Sequence, residues 1–260
     1  MDHAHRFNRT SLDAYEFIVD RCRAIMQEIR VQRLQSSEIV DIMEQMIRYL
    51  IISGYRHYTD PKFDIELHNK QLQSFLLSLQ QCRPQNSSLD LQETSSRCEF
   101  LYYTLILHFE QASFLIPQYM SHRELLNEQT KQVLRLIASL TTGNAIRFNN
   151  EFERCDYIIQ CLVTVKIVLV LRQQIINSFN VASKRQLYPL SALKTKMILD
   201  SITEVQEYCK QSSISTQSSP RDQSLCAAFT GKPLRPVSQL FSVSVTPTAI
   251  DSVAVKVRAT

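Results

Sequence analysis

Residues 15–33 read YEFIVDRCRAIMQEIRVQR, and their spacing identifies the class of fold. Ile18, Cys22, Ile25 and Ile29 follow steps of four, three and four, so they share one face of a helix. Charged residues fall largely off that face. We therefore predict a long amphipathic helix, with these four side chains facing the core and a charged side facing solvent.

Glycine is scarce in the 260-residue chain, which holds only Gly54, Gly143 and Gly231. An average protein has about 7% glycine, so folds that need many tight turns are disfavoured and helices are favoured. Phosphate-binding loops need closely spaced glycines so that backbone amides can approach the anion. The sequence thus excludes nucleotide-binding enzymes of the P-loop or Rossmann kind.

Cysteines and histidines do not form a recognisable site. The seven cysteines include no CxxC pair, and the histidines show no HExxH spacing. This pattern indicates thiols in a reducing compartment that pack as small apolar residues. The N-terminus lacks a secretory pattern. We predict a non-enzyme that binds no metal and no cofactor.

Helical signals continue along the chain. Ser36 caps a second predicted helix, and a third follows from about Asp64. A capping box at residues 121–124 opens a later helix. The run Tyr157–Leu171 is the most hydrophobic, but its 15 residues include Gln160 and fall short of the ~20 that a membrane span needs. We predict a buried helix there, a strand being the lesser option, and no membrane association.

The last third of the chain changes character. Leu187–Leu193 opens a short predicted helix, and a capping box at Ser201 and Glu204 opens another that runs to about Lys210. A Ser/Gln-rich linker (211–219), an alternating segment (224–230) and a β-like tail from residue 234 follow. Helix, turn, helix and two strands make a winged-helix pattern.

Four segments resemble the GANP (Sac-three) family of helical scaffold proteins. The first is the helix that carries Asp20, Arg21 and Arg23, and the second is the loop at residues 58–64. The third is a turn between helices, and the fourth is residues 188–210, which are similar to the family's small winged helix. The turn consists of Gly143, Asn144, Arg147 and Phe148.

The resemblance implies a mainly α fold, with a solenoid of TPR/PCI-like helical hairpins followed by a C-terminal winged helix. It divides the chain into four parts. These are a flexible N-terminus (1–10), a helical solenoid domain (11–183), a winged-helix module (184–240) and a C-terminal tail (241–260).

The resemblance also implies a function. It suggests a non-enzymatic scaffold in nuclear mRNA export and processing, which pairs with a PCI-domain subunit and a small acidic protein. The alternative is a centrosome-associated factor in centrosome duplication and spindle assembly, with centrosomal partners. The expected location is the nucleus, the cytoplasm or the centrosome. The long C-terminal centrin-binding helix and the phenylalanine-glycine repeats of large members are not expected here.

A cluster of cations marks the expected contact surface. Direct contact with RNA or single-stranded DNA would be weak, salt-sensitive and tolerant of sequence, because Glu204 and Glu207 on the second helix oppose phosphate. Docking of a protein partner on the same module is the favoured alternative. Ser219, before a proline, is a suggested phosphorylation site. The cations are Lys194, Lys196, Lys210, Arg221, Lys232 and Arg235.

Arg21 and Arg23 allow two interpretations. They can pair with Asp20, Glu28 or a carboxylate on the next helix and so fix helix packing. They can instead present a basic patch to a partner. We favour pairing, because alternating charges on one helix tend to satisfy one another.

Overall fold

A computed structural model describes residues 11–83, 91–120, 127–183, 186–218, 224–234 and 236, without the side chains of 91–94 and 118–120. The protein is mainly helical with a small three-stranded sheet, which confirms the mainly α class. The chain forms two compact units, Met1–Phe100 and Leu101–Thr260.

The first unit contains α1 (Ser11–Gln32), α2 (Ser37–His57), α3 (Ile65–Cys82) and the start of α4 (Leu91–Leu107). The predicted cap at Ser36 is present, and Asp64 caps the third helix. The side chain of Ser36 accepts a hydrogen bond from the amide of Ile39, and that of Asp64 accepts one from Leu67. These bonds satisfy amides that a helix start leaves without a partner, so both helix starts are where the sequence placed them.

The predicted inner face of α1 was partly wrong. Cys22 and Ile29 are buried, but Ile18 is 37% exposed and Ile25 is 44% exposed. A longer apolar stripe lies on the adjacent face and follows alternating steps of three and four. It prevails because it is six residues long and buries more apolar area, including an aromatic ring. Its members are Leu12, Tyr15, Val19, Cys22, Met26 and Ile29.

A charged network joins α2, the end of α3 and α4. The Nη2 atom of Arg83 lies 2.7 Å from Oε1 of Glu44, whose side chain is only 8% exposed. Arg48 bridges from Glu44 to Glu99, where both donor–acceptor distances are 2.7 Å. Both guanidinium groups also lie over the ring of Phe100. Because the buried carboxylate is paired, the network fixes how these three helices meet.

Gly54 admits a close neighbour late in α2. His68 of α3 is 2% exposed, and a hydrogen bond of 2.8 Å joins its Nδ1 to the hydroxyl of Tyr15. A side chain at position 54 would overlap Nε2 of this ring. Glycine is therefore required there for close approach of the imidazole.

Burial lowers the pKa of His68 to about 4. The unfolded chain binds this proton at about pH 6.5, so the contribution of neutral His68 is intact above that value and is lost as pH falls toward 4. We expect a loss of about 2 kcal/mol in unfolding free energy between about pH 7.5 and about pH 5.

Urea unfolding of the wild type and of His68→Gln at both pH values measures this loss. Carboxylates titrate equally in the two proteins. The change in unfolding free energy with pH in the wild type, minus the same change in the variant, is therefore the contribution of His68. Equal slopes would show that the imidazole titrates normally in the folded protein.

The second unit begins with the end of α4 and continues through a 3₁₀ turn (Phe109–Gln111) and five helices. These are α5 (Ala112–Met120), α6 (Glu128–Thr141), α7 (Ala145–Glu153), α8 (Tyr157–Lys166) and α9 (Val168–Ala182).

The apolar run 157–171 is helical and mostly buried, as predicted, but it is not one helix. It breaks at Ile167, where α8 and α9 meet at an angle of 59°. Over the described residues, no single helix has the length and apolar character of a membrane span; α8 and α9 together meet that test only as a bent pair.

The sheet lies near the end of the described chain. Its strands are β1 (Leu187–Pro189), β2 (Ser215–Ser218) and β3 (Leu225–Ala228), in the antiparallel order β1-β3-β2. Between β1 and β2 come α10 (Leu190–Lys196) and α11 (Ile202–Gln211).

Two predictions in this region were wrong. Residues 187–189 form a strand, because Tyr188 pairs with Ala227 and the ψ of Pro189 is extended at 131°. Residues 215–218 form the edge strand β2 instead of a linker. All four residues are exposed, and their polar composition is typical of an edge strand. The segment therefore lacks the apolar-polar alternation from which a strand is predicted.

Several predictions fall outside the described residues. They concern the capping box at 121–124, the two terminal segments and most of the β-like tail from Leu234. The proposed domain boundaries stay a prediction.

Candidate nucleic-acid and partner interface

One buried arginine holds the turn between α10 and α11. Arg172 of α9 is 2% exposed. Its Nε donates to the carbonyl of Met197 at 2.9 Å and its Nη2 donates to the carbonyl of Ile198 at 2.7 Å. Ile198 has a φ of 51°, which costs energy for a β-branched residue. The charged donors stabilise this strained turn and so fix the angle at which α11 leaves α10.

A second anchor comes from α7. The Nδ2 atom of Asn149 donates to the carbonyl of Thr195 at 2.8 Å and to that of Lys196 at 3.3 Å. Carbonyls at the C-terminus of a helix have no partner within the helix, so this amide satisfies the end of α10. Arg172 and Asn149 together attach α10 to two helices of the same unit.

The turn before α7 places Asn149. Gly143 has a φ of 69°, and the Oδ1 of Asn144 caps α7 by accepting from the amide of Arg147 at 3.0 Å. Phe148 is fully buried, whereas the side chain of Arg147 is exposed. This turn thus sets the start and rotation of α7, and with them the position of Asn149.

The helix α11 presents one face to the core and one to solvent. Its buried face carries Val205, Tyr208 and Cys209. Burial raises the pKa of Tyr208 to about 12 and that of the Cys209 thiol to about 12. Both groups are therefore neutral at physiological pH and serve packing.

The predicted capping box at the start of α11 is confirmed. The hydroxyl of Ser201 accepts from the amide of Glu204 at 3.1 Å, and the Glu204 carboxylate accepts from the amide of Ser201 at 3.1 Å.

We expect Ser201→Ala to lower the unfolding free energy by about 1 kcal/mol. Thermal and urea unfolding measure this change. Ser201→Asp is the matched control, because aspartate caps equally well; equal loss in both variants would contradict a capping role.

A groove of about 550 Å³ runs between the solvent side of α11 and β2. Hydroxyl and amide groups dominate it, and its only cation and anion among the lining residues form one loose pair. The Nζ of Lys210 lies 3.9 Å from the carboxylate of Glu207. The groove is therefore nearly neutral and rich in hydrogen-bonding groups. Its lining is Thr203, Gln206, Glu207, Lys210, Ser213, Ile214, Ser215 and Thr216.

Comparison with known proteins decides the family. A family model described as the SAC3/GANP family matches residues 3–218. The chain belongs to the SAC3/GANP family. It is also similar to "SAC3 family protein B" of Arabidopsis thaliana, with 26% identity over 172 residues, which are 60% of this chain and 10% of that protein. The chain thus spans about a tenth of the length of this relative.

The predicted contact cations of this SAC3/GANP protein that are described lie on different elements and do not all line the groove. Lys194 and Lys196 lie in the last turn of α10, and Lys196 Nζ lies 5.9 Å from the centre of the Phe179 ring. Lys232 follows β3, where its carbonyl accepts from Asn180. Of the four described cations only Lys210 lines the groove. Arg221 and Arg235 lie outside the described residues, and the contact role of all six stays a prediction.

The family-motif helix, α1, belongs to the first unit. Arg23 pairs with Asp20 at 3.2 Å, as the preferred interpretation expected. Arg21 instead lies over the ring of Phe17, with 5.6 Å between the guanidinium carbon and the ring centre. The contact to another helix comes from Arg30, whose Nε donates to the hydroxyl of Ser78 at 3.1 Å. No spacing or motif in the sequence distinguishes Arg30 from its neighbours.

Sequence reasoning also missed Arg172 and Asn149. Each is a polar residue in a helix, and each acts through backbone carbonyls far along the chain. Such partners leave no spacing pattern. Within the described parts of the chain, no group of three His, Cys, Asp or Glu side chains is placed to hold a metal ion.

Proposed function

We propose that this SAC3/GANP protein is a non-enzymatic scaffold in nuclear mRNA export and processing, and that the groove between α11 and β2 is its docking surface. One observation carries the proposal: the buried Arg172 of α9 and the half-buried Asn149 of α7 hold the end of α10 and the turn before α11, while Lys210 on the outer side of α11 and all of β2 are exposed. Rigid elements that present an open polar groove suit recognition of macromolecules better than catalysis.

We also propose that β1, α10, α11, β2 and β3 form the winged helix of the family. Two helices joined by a tight turn precede a β-hairpin, and β1 completes the sheet beside β3. In a winged helix the second helix and the hairpin are the surfaces that meet a ligand. The packing of neighbouring helices, α2 with α3 and α6 with α7, supports the solenoid of helical hairpins.

Charge favours a protein as the main ligand of the groove. Specific contact with nucleic acid uses several cations at phosphates, whereas this groove holds a single lysine that lies close to a glutamate. The hydroxyl and amide side chains can supply the hydrogen bonds that a protein interface makes at its polar rim. By family resemblance the partner is a PCI-domain subunit, together with a small acidic protein. RNA contact is then weak and adds to a composite surface.

Two variants with opposite expected effects test this function. Gln206→Arg with Thr216→Arg adds bulk and positive charge to the groove, so a protein partner is lost while RNA retention rises. Lys210→Glu lowers RNA retention. The slope of the logarithm of the RNA-binding constant against the logarithm of salt concentration falls by about one for each lost phosphate contact. Lys131→Glu on α6 is the control, because Lys131 is exposed and paired with Glu128.

Affinity purification with mass spectrometry, and RNA filter binding at low and moderate salt, measure these effects. Recovery of a PCI subunit and messenger-ribonucleoprotein factors by the wild type, and their loss from the double variant, supports the proposal. Recovery of centrosomal proteins, equally by wild type and variant, would refute the export role and favour the centrosomal alternative.

A further inference from the structure

Besides Arg172, the helix α9 carries a second buried polar residue that bonds to backbone far along the chain. Asn180 lies in the last turn of α9 and is 6% exposed. Its Oδ1 accepts from the amide of Gly231 at 2.9 Å, and its Nδ2 donates to the carbonyl of Lys232 at 2.7 Å. Both ends of this side-chain amide are therefore bonded to the segment that follows β3.

The contacts of Arg172 and Asn180 are alike. Each side chain forms two hydrogen bonds to the backbone at a turn with positive φ, which is 51° at Ile198 and 73° at Gly231. Because hydrogen bonds have preferred distances and angles, two of them from one side chain fix both the position and the direction of a backbone segment. One helix thus holds the chain just before α11 and just after β3.

An aromatic residue next to Asn180 attaches the sheet to the same helix. The ring centre of Phe179 lies 4.4 Å from that of Tyr188 in β1 and 6.1 Å from that of Phe229, which follows β3 and is 1% exposed. Such contacts stabilise the packing, but apolar burial is not directional. The hydrogen bonds of Asn180 therefore select one position of the sheet against α9.

The end of β3 that Asn180 anchors is also the end that carries the groove. Ser215 and Thr216 of β2 both line the groove. They pair with Ala228 and Ala227, the last two residues of β3, and Ala228 lies three positions before Gly231. Since β2 pairs with β3 along its whole length, fixing this end of β3 also fixes the β2 side of the groove.

We propose that Asn180 is a positioning residue of the docking groove, which fixes the wall formed by β2 as Arg172 fixes the wall formed by α11. In this role, which rests on the docking function proposed above, Asn180 does not itself line the groove. Contact groups of a binding surface must be held to within about 0.5 Å, and buried side chains behind the surface provide this. A single helix, α9, thereby sets the distance between the two walls.

Hydrogen exchange of the full chain, followed by mass spectrometry, tests whether Asn180 holds this wall. Asn180→Leu keeps a similar volume and removes both hydrogen bonds, so amides in 215–218 and 225–232 are expected to exchange about tenfold faster. The turn at 197–201, which is held elsewhere on α9, keeps its wild-type rate. Asn177→Leu is the matched control, because Asn177 is exposed on the same helix and the change should leave all these rates unaltered.

Two exchange results would overturn the proposal. Equal acceleration throughout the second unit would show that Asn180 contributes only to overall stability. Unchanged exchange in both strands would show that Asn180 does not hold them. Circular dichroism confirms that each variant is folded before the rates are compared.

Affinity purification of the same variants separates this inference from the docking function itself. Asn180→Leu is expected to recover at least about tenfold less PCI-domain subunit than the wild type, whereas Asn177→Leu recovers the same amount. Undiminished recovery by Asn180→Leu, despite faster exchange in the strands, would overturn the positioning role. A wild type that recovers no PCI-domain subunit would refute the docking function instead, and the exchange rates then decide whether Asn180 fixes the wall.

Discussion

Replacing Arg172 with methionine is expected to lower the unfolding free energy by about 3–6 kcal/mol, because two charge-assisted hydrogen bonds are lost at about 1.5–3 kcal/mol each. The side chain is 2% exposed, and it donates to the carbonyls of Met197 and Ile198. Methionine fills much of the volume but donates nothing. The hydrogen bonds that offset the backbone strain at Ile198 are then lost, so the turn before α11 becomes less stable.

Chemical unfolding followed by circular dichroism measures the loss. Arg154→Met is the matched control, because Arg154 is exposed at the end of α7. It should change stability by less than about 0.5 kcal/mol. A loss below about 1 kcal/mol for Arg172→Met would show that the turn does not depend on this side chain.

Substituting Gly54 with alanine is expected to destabilise the protein by about 3 kcal/mol. In most helix interiors this change is stabilising by about 0.5–1 kcal/mol, so the sign itself is informative. Here the new methyl group would overlap Nε2 of His68 and lie 2.8 Å from its Cε1. The imidazole cannot move freely, because it is buried and hydrogen-bonded to Tyr15.

A double-mutant cycle with His68→Ala measures this clash. In the His68→Ala background, Gly54→Ala should cost little or become stabilising, so the coupling energy is of order 2–3 kcal/mol. Gln45→Ala, at an exposed position of the same helix, controls for general effects of alanine. Additive losses would show that the two residues do not meet in the folded protein.

Local chemistry explains which elements the sequence predicted well. Ser36, Asp64, Asn144 and Ser201 each cap the helix that follows, because their side chains accept from amides three residues ahead. That interaction depends on neighbours in the sequence, so its spacing is visible there.

Elements that depend on distant partners were missed. β1 is three residues long and exists because Tyr188 pairs with Ala227. β2 is polar and exposed, and pairing with β3 alone makes it a strand. The inner face of α1 was misjudged because the helix carries two apolar patterns, and only the packing of α2 and α3 selects between them.

The same limit applies to the candidate interface. The family motif and the turn at Gly143 were recognised from residue order, and the cations were named from composition. Whether those cations converge depends on backbone geometry, and the structure places Lys210 alone among the described four in the groove. The groove residues are mostly serine, threonine and glutamine, which no sequence pattern separates from an ordinary polar surface.

Affinity purification of the wild type beside Gln206→Arg with Thr216→Arg is the most direct test of the docking groove. A docking role predicts that the wild type recovers a PCI-domain subunit and that the double variant, equally folded, loses it while its RNA retention rises. Recovery of the same partners in the same amounts by both proteins would contradict a docking role for the groove between α11 and β2.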